Sequence, residues 1–250
     1  MKKIALITGA TSGIGRATAQ KFAENGISLI LCGRREDRLN ALKASLEGKV
    51  EVKILNFDVR NEDAVTDAVN SLGKEWKNIS ILVNNAGNAH GLSTIDQGNT
   101  GDWDAMIDSN VKGLLYVSRA VVPGMVARKS GHIVNISSIA GKETYKNGAV
   151  YCASKAAVEA ISQGMRMDLT EQGIKVTNIA PGAVETEFSL VRFKGDTGRA
   201  EKVYAGFEPL KADDIADAIF YAISAPAHVT IADMTILAAA QSQATVIHRQ

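Results

Sequence analysis

The 250-residue sequence has few of the features that mark the more specialised protein classes. Two cysteines, Cys32 and Cys152, are too few for a disulfide framework, which favours a reducing compartment. The formal net charge is only +1, so no overall field attracts nucleic acid or an anionic membrane. No apolar run is long enough to span a bilayer. We therefore expect a cytoplasmic protein that binds neither nucleic acid nor a membrane.

The first residues also lack the continuation that a signal peptide needs. Lys2 and Lys3 precede an apolar run that Thr8 and Gly9 end at once, so a buried strand explains the segment better. The chain shows no internal repeat, no low-complexity linker and no metal-binding motif, and its histidines are scattered. The sequence therefore predicts one domain over residues 1–250, without a metal site.

Short apolar runs alternate with longer segments of helical periodicity through most of the chain. The predicted strands are 4–7, 28–32, 50–57, 79–83, 133–136, 175–179 and 234–238. The predicted helices are 13–25, 36–47, 62–72, 103–128, 150–171 and 212–224. Strands that are apolar throughout indicate a parallel sheet covered on both faces. We expect an α/β fold with a seven-stranded parallel sheet.

Residues 185–209 depart from this alternation because they are charged, weakly periodic and contain three glycines. A long irregular insert in a compact domain is often functional, and we expect a substrate lid here. A solvated surface loop is the alternative.

Glycines follow the first predicted strand in the pattern Gly-x-x-x-Gly-x-Gly, formed by Gly9, Gly13 and Gly15. Such a turn lets the backbone approach a pyrophosphate, and the following helix presents free N–H groups to the anion. A simple strand-to-helix turn is the alternative. The spacing resembles that of the short-chain dehydrogenase/reductase family, which implies a Rossmann-like, doubly wound fold and a dinucleotide cofactor.

The end of the second strand bears on the choice of cofactor. Gly33 stands where this family's NAD-selecting acid usually lies, and Arg34 and Arg35 follow it. Because a guanidinium binds phosphate bidentately, NADP is favoured, chiefly through Arg34. The alternative is that both arginines only solvate the start of a helix. Asp58 and Val59 resemble the family's adenine-contacting pair, although Asp58 would also serve as a helix cap.

Tyr151 and Lys155 share one helix face, so the ammonium can stabilise a phenolate and lower the tyrosine pKa. Such a pair is common by chance, but Ser138 precedes it by the family's usual interval, and Asn110 matches the family's fourth catalytic residue. The resemblance implies that Tyr151 exchanges a proton with the substrate oxygen and that Ser138 positions that oxygen. It implies that Lys155 contacts the nicotinamide ribose and that Asn110 holds a water.

The resemblance extends over nearly the whole chain and implies a larger set of cofactor contacts. Residues 84–87 and 181–186 also resemble cofactor-binding segments of the family. The alternative is that these residues are simply turns that end strands. The expected cofactor-binding residues are Gly9, Thr11, Ser12, Gly13, Ile14, Gly15, Arg34, Arg35, Asp58, Val59, Asn85, Ala86, Gly87, Tyr151, Lys155, Pro181, Gly182, Val184 and Thr186.

The segments 187–196, 225–229 and 248–250 resemble a subgroup that oxidises small 3-hydroxy acids such as serine and L-allo-threonine. A carboxylate needs a cationic partner, and we expect Arg192 to bind it beside Ser138 and Tyr151, with Lys142 or Lys146 as alternatives. A ketone or 3-oxoacyl reductase, an epimerase or dehydratase, and a non-catalytic cofactor sensor are the rival interpretations. The family commonly forms tetramers, so we expect a homotetramer.

Overall fold

The structure, a computed structural model, describes residues 2–250. Within that range seven strands form one parallel sheet in the order β3-β2-β1-β4-β5-β6-β7. The strands are β1 (Ile4–Thr8), β2 (Ser28–Gly33), β3 (Val52–Asn56), β4 (Ile81–Asn84), β5 (Gly131–Ile136), β6 (Ile174–Pro181) and β7 (Asp233–Ile236). This confirms the expected Rossmann-like α/β fold with a seven-stranded parallel sheet.

The helices are α1 (Gly13–Glu24), α2 (Glu36–Ser45), α3 (Glu62–Asn70), α4 (Thr100–Ile107), α5 (Gly113–Arg128), α6 (Ala149–Leu169), α7 (Phe188–Arg192), α8 (Thr197–Tyr204) and α9 (Ala212–Ser224). Five of the six expected helices appear with boundaries that differ by a few residues, the expected helix over 103–128 is divided, and α7 and α8 were not expected. Within residues 2–250, no helix combines the length and hydropathy needed to cross a membrane.

Helices cover both faces of the sheet, which gives two hydrophobic cores. Leu6 packs with residues of α3 and α5, whereas the next residue, Ile7, packs with residues of α1 and α9. The rings of Phe22 and Phe220 meet edge to face at 6.4 Å and join α1 to α9. Each fully buried side chain of this size contributes about 1.5–3 kcal/mol to folding.

The expectation that every strand is apolar throughout is wrong at the two edges of the sheet. In β3, Lys53 and Asn56 are exposed, and in β7 Asp233 and Thr235 are exposed. An edge strand has only one neighbour and less helical cover, so it tolerates polar side chains. The five inner strands are almost completely buried.

The segment predicted as one helix over 103–128 contains an interruption. Residues Asp108–Lys112 form a π-helical turn between α4 and α5, and Asn110 lies in this turn. Such turns occur often at functional sites because they redirect a side chain without ending the helix. Sequence periodicity did not reveal this turn, which directs Asn110 toward the site.

The expected irregular insert at 185–209 instead contains two helices, α7 and α8. The Thr186 hydroxyl accepts a hydrogen bond from Phe188 N at the start of α7. The Asp196 carboxylate caps α8 by accepting from Arg199 N. Two helices of five and eight residues are too short to produce a clear apolar period, which explains why the sequence suggested a loop.

Candidate active site

A cavity of about 720 Å³ lies at the carboxyl ends of the strands, beside the reversal of strand order between β1 and β4. It is lined by all of the site residues expected from the sequence except Gly15 and Asn110, which lie just behind the lining. Residues separated by most of the chain are therefore brought together as the sequence predicts.

The glycine turn leaves the backbone N–H groups at the start of α1 without a side-chain cap. Gly9 and Gly13 have φ angles of +65° and +51°, which favour glycine. A Cβ on Gly13 would lie 3.2 Å from Thr186 Cγ2, so the glycine turn and Thr186 lie close together. Ser12 begins the helix without a side-chain cap, and no acid lies in the first turn. The free N–H groups fit a pyrophosphate.

Arg34 and Arg35 take different positions at the cavity mouth. The Arg34 side chain is 65% exposed, and its nearest acidic oxygen, on Asp58, is 3.7 Å away. Arg35 Nη2 donates to the hydroxyls of Thr11 and Ser12, both at 2.9 Å, and Nη1 pairs with Glu187 at 3.0 Å. Arg34 is therefore the freer of the two to meet a phosphate.

Asp58 lines the cavity but does not cap a helix, since Asn61 caps α3 by accepting from Ala64 N. Arg60 Nη2 lies 2.6 Å from Asp58 Oδ2, and Nε donates to both carboxylate oxygens. Partial burial alone would raise the pKa of this carboxyl, but hydrogen bonds from Arg60 hold the pKa below its ordinary value. Sequence reasoning did not single out Arg60, which also lines the cavity.

Thr8 fastens the loop after β4 to the end of β1. Its hydroxyl accepts hydrogen bonds from Asn85 N and Ala86 N, each 3.0 Å long. The Asn85 side chain donates back to the Thr8 carbonyl at 2.9 Å. The amide side chain thus holds the loop at the cavity floor in place.

Tyr151 and Ser138 lie together in the cavity, from α6 and from the loop after β5. The Tyr151 side chain is buried, and its ring packs 5.7 Å from the ring of Phe188 in α7. Burial raises the pKa of the Tyr151 phenol, while the Ser138 hydroxyl and the Arg192 charge act in the opposite direction.

That Lys155 lowers the pKa of Tyr151 stays a prediction, because burial is the largest influence on this pKa in the structure and Lys155 is not among the neighbours that shift it. The Lys155 ammonium is itself buried and donates to the Ile136 carbonyl at 3.0 Å. Desolvation lowers the pKa of Lys155 to about 8, against an opposing effect of Glu159.

Asn110 is buried behind the lining, and its side chain forms hydrogen bonds with Asn88, Ser154 and the neighbouring Ser109. Its side-chain oxygen accepts from Asn88 N at 2.8 Å, and its nitrogen donates to Asn88 O at 2.9 Å and to Ser154 Oγ at 3.0 Å. A Cβ on Gly87 would lie 3.0 Å from the Asn110 oxygen and 3.4 Å from Lys155 Nζ. Asn110 thus joins the π-helical turn to the cavity floor.

Arg192, the last residue of α7, reaches over the catalytic tyrosine expected from the sequence. Its Cζ lies 5.4 Å from the centre of the Tyr151 ring, and Nη2 donates to the Tyr145 hydroxyl at 2.9 Å. The alternatives are less well placed, since Lys142 pairs with Asp233 at 2.8 Å and does not line the cavity. Lys146 lines it but is exposed.

Sequence reasoning missed two partners of this cation. Tyr145 lies between Ser138 and Tyr151 in the sequence. An aromatic residue so close to Tyr151 was the one signal that could have identified it as a site residue. The Gly91 carbonyl accepts from Arg192 Nε at 3.3 Å, a contact that no motif indicates.

Comparison with known proteins agrees with this geometry. Residues 3–195 match the short chain dehydrogenase family. The chain is 45% identical over 249 residues to the NADP-dependent 3-hydroxy acid dehydrogenase YdfG of Escherichia coli (strain K12), covering 99% of this chain and 100% of that protein. It is 43% identical over 243 residues to sulfoacetaldehyde reductase 2 of Chromohalobacter salexigens, covering 97% and 96%. The closed form of serine dehydrogenase complexed with NADP+ superposes with a TM-score of 0.93 at 45% identity, covering 99% and 100%.

The chain therefore belongs to the short chain dehydrogenase family. The resemblance drawn from its motifs and the expected class, an oxidoreductase acting on CH–OH groups, are confirmed. The Escherichia coli relative is named as NADP-dependent, the serine dehydrogenase structure holds NADP+, and a short-chain dehydrogenase structure from Sphingobium yanoikuyae holds NADPH, which agrees with the expected cofactor.

Proposed function

We propose that this protein uses NADP(H) to interconvert a small 3-hydroxy acid, of the serine, L-allo-threonine or 3-hydroxypropionate kind, and its oxo form. The single observation that carries the proposal is the Arg192 guanidinium above the Tyr151 ring, in a cavity that also contains Ser138. A cation beside the proton-exchanging group favours a substrate whose acid group lies close to its hydroxyl.

The residues around the glycine turn fit the cofactor. The uncapped start of α1 and the close approach at Gly13 suit a pyrophosphate, and the freer guanidinium of Arg34 suits a 2′-phosphate. Asp58 and Val59 would flank the adenine, and Thr186 and Lys155 would contact the nicotinamide half. When bound, NADP(H) supplies the hydride acceptor or donor.

The chain's own residues then handle the proton. Tyr151 takes the hydroxyl proton during oxidation and returns it during reduction. Ser138 hydrogen-bonds the substrate oxygen and orients it toward the phenol. The Lys155 ammonium favours the phenolate that oxidation requires, and Asn110 holds the surrounding backbone and a relay water in position.

The relatives support the hydroxy-acid proposal, and one of them suggests a second anionic substrate class. Names among them specify a 3-hydroxy acid dehydrogenase and a serine dehydrogenase. A sulfoacetaldehyde reductase is nearly as similar to this chain, and a sulfonate would pair with Arg192 as a carboxylate does. Reduction of an aldehyde that carries a sulfonate group is therefore the alternative reaction that this similarity favours.

A substrate panel tests the proposal. Purified protein is mixed with NADP or NAD and with L-serine, D-serine, L-allo-threonine, 3-hydroxyisobutyrate or a simple secondary alcohol, and the absorbance of the reduced nicotinamide is followed. We expect NADP reduction with the hydroxy acids and little with NAD. Activity confined to uncharged alcohols, or to ketones and acyl thioesters in reverse, would contradict the hydroxy-acid assignment and favour a ketone or 3-oxoacyl reductase.

The homotetramer and the cytoplasmic location stay predictions. Leu115 on α5 and Met167 on α6 are 41% and 82% exposed, which suits a helical contact between copies. Sedimentation of the purified protein measures its assembly directly.

A further inference from the structure

Glu187 immediately precedes α7 and forms two ion pairs with the start of α2. Its Oε2 lies 3.0 Å from Arg35 Nη1, and its Oε1 lies 2.6 Å from Arg38 Nη1. Residues 187 and 35 lie 152 positions apart in the chain, so these pairs join the lid at 185–209 to the opposite wall of the cavity. Arg35 is anchored in turn to the hydroxyls of Thr11 and Ser12 in the glycine turn.

The short helix α7 connects this junction to the expected substrate site. Glu187 stands at its beginning and Arg192 at its end, and the segment forms a single short helical unit. Arg192 lies over Tyr151, where its guanidinium also donates to the Gly91 carbonyl and the Tyr145 hydroxyl. Because α7 is a single short helix, a restraint at Glu187 reduces the motion that these two contacts alone would have to prevent.

Other lid contacts hold different points and do not replace the one at Glu187. Lys194 pairs with Asp102 at 3.0 Å beyond the end of α7, and the Ser189 hydroxyl lies 2.7 Å from the Tyr204 hydroxyl within the lid. The two ion pairs of Glu187 hold the lid at the mouth where the dinucleotide would enter.

We propose that Glu187 is a positioning residue that holds the lid against Arg35 and Arg38 and thereby keeps Arg192 over Tyr151. The proposal rests on the proposed function for the use that it gives to Arg192. Glu187 contacts neither Tyr151 nor Ser138 in the structure, so its effect falls on substrate capture and lid order rather than on proton transfer.

Two readouts test the proposal with the intact protein. The first is the rate of trypsin cleavage within the lid, at Arg192, Lys194, Arg199 or Lys202, without substrate. The second is the split between KM and kcat for whichever hydroxy acid or sulfonate the enzyme turns over. The cleavage assay needs no turnover, so it tests the restraint by Glu187 even if the proposed substrate class is wrong.

The variants are Glu187→Gln, Glu187→Asp, Arg38→Ala and the double variant Glu187→Gln/Arg38→Ala. Arg38 does not line the cavity, so its loss frees one side of the restraint without altering the cofactor site. Glu201→Gln is the matched control, because Glu201 is an exposed carboxylate of α8 with no ion pair among residues 2–250.

Exposed ion pairs are individually weak, so Glu187→Gln should raise both the cleavage rate and KM by about three- to tenfold, with kcat changed by less than about twofold. Arg38→Ala should give a smaller increase, the double variant should match Glu187→Gln, and Glu187→Asp should restore part of the loss. The proposal is overturned if Glu187→Gln behaves like Glu201→Gln in the cleavage assay, or if it lowers kcat while KM stays unchanged.

Discussion

The Tyr145 hydroxyl accepts a 2.9 Å hydrogen bond from Arg192 Nη2, and the same guanidinium lies 5.6 Å from the centre of the Tyr145 ring. The guanidinium is thus shared between Tyr145 and Tyr151. The two tyrosines take separate tasks in the proposed mechanism, since one holds the substrate-binding cation and the other exchanges the proton.

Removing the Tyr145 hydroxyl should weaken substrate capture. Tyr145→Phe keeps the ring beneath Arg192 and removes only its hydrogen bond, so KM for an anionic substrate should rise by about three- to tenfold with kcat nearly unchanged. Steady-state kinetics measures both constants. A fall in kcat without a change in KM would show that Tyr145 acts on the chemical step instead.

Removing the Tyr151 hydroxyl should slow the chemical step. Tyr151→Phe keeps the packing against Phe188 but removes the proton-exchanging group, so kcat should fall by about 10²- to 10⁴-fold. Cofactor affinity, measured by quenching of protein fluorescence, should change little. A variant that retains more than about a tenth of the wild-type kcat would contradict the role of Tyr151.

Arg34 should distinguish the two nicotinamide cofactors. Its guanidinium is exposed at the cavity mouth with only a loose contact to Asp58, so Arg34→Ala should raise the Kd for NADP by about tenfold or more. The Kd for NAD, which lacks the 2′-phosphate, serves as the internal control and should stay within about twofold. Equal weakening of both cofactors would mean that Arg34 acts on the fold of the turn rather than on the phosphate.

His132 should make the folded state sensitive to acid. It is buried in β5, with Nε2 2.8 Å from the Thr177 hydroxyl, which itself donates to the Ile231 carbonyl. Burial, with a smaller effect of Lys175, lowers the pKa of His132 from 6.5 to about 4. Between these values the unfolded chain binds a proton that the folded chain does not, so stability falls as the pH drops through this range.

Urea unfolding at about pH 7 and about pH 5 measures this effect, with His132→Gln as the comparison. The wild-type protein should lose about 1–2 kcal/mol more of its free energy of unfolding between the two pH values than the variant loses. Identical losses would show that the histidine titrates alike in the folded and unfolded states.

The local patterns of the sequence predict most of the fold. Alternating apolar strands and amphipathic segments indicate the parallel sheet because each buried strand needs helices on both faces. The π-helical turn at Asn110 could not be predicted from local patterns, because the Asn110 side chain is held by Asn88 and Ser154, which belong to other elements. Helices α7 and α8 could not be predicted in this way because they are too short to show a period.

The candidate site, like the fold, can be predicted from the sequence only in part. Motif spacing predicts that Ser138, Tyr151 and Lys155 share one cavity, because carboxyl ends of parallel strands meet at one edge of the sheet. The pairing of Glu187 with Arg35 depends on tertiary structure alone, and the raised pKa of Tyr151 depends on its burial. Neither follows from residue types or from their spacing.

The central claim is that Arg192 holds the acid group of the substrate over Tyr151. The most direct measurement compares kcat/KM of the wild-type protein and Arg192→Ala for the best hydroxy acid of the panel and for an uncharged secondary alcohol. We predict a loss of about 10- to 100-fold for the hydroxy acid, because a charge-assisted bidentate contact is removed, and a change within about twofold for the alcohol. Equal losses on both substrates would contradict the claim.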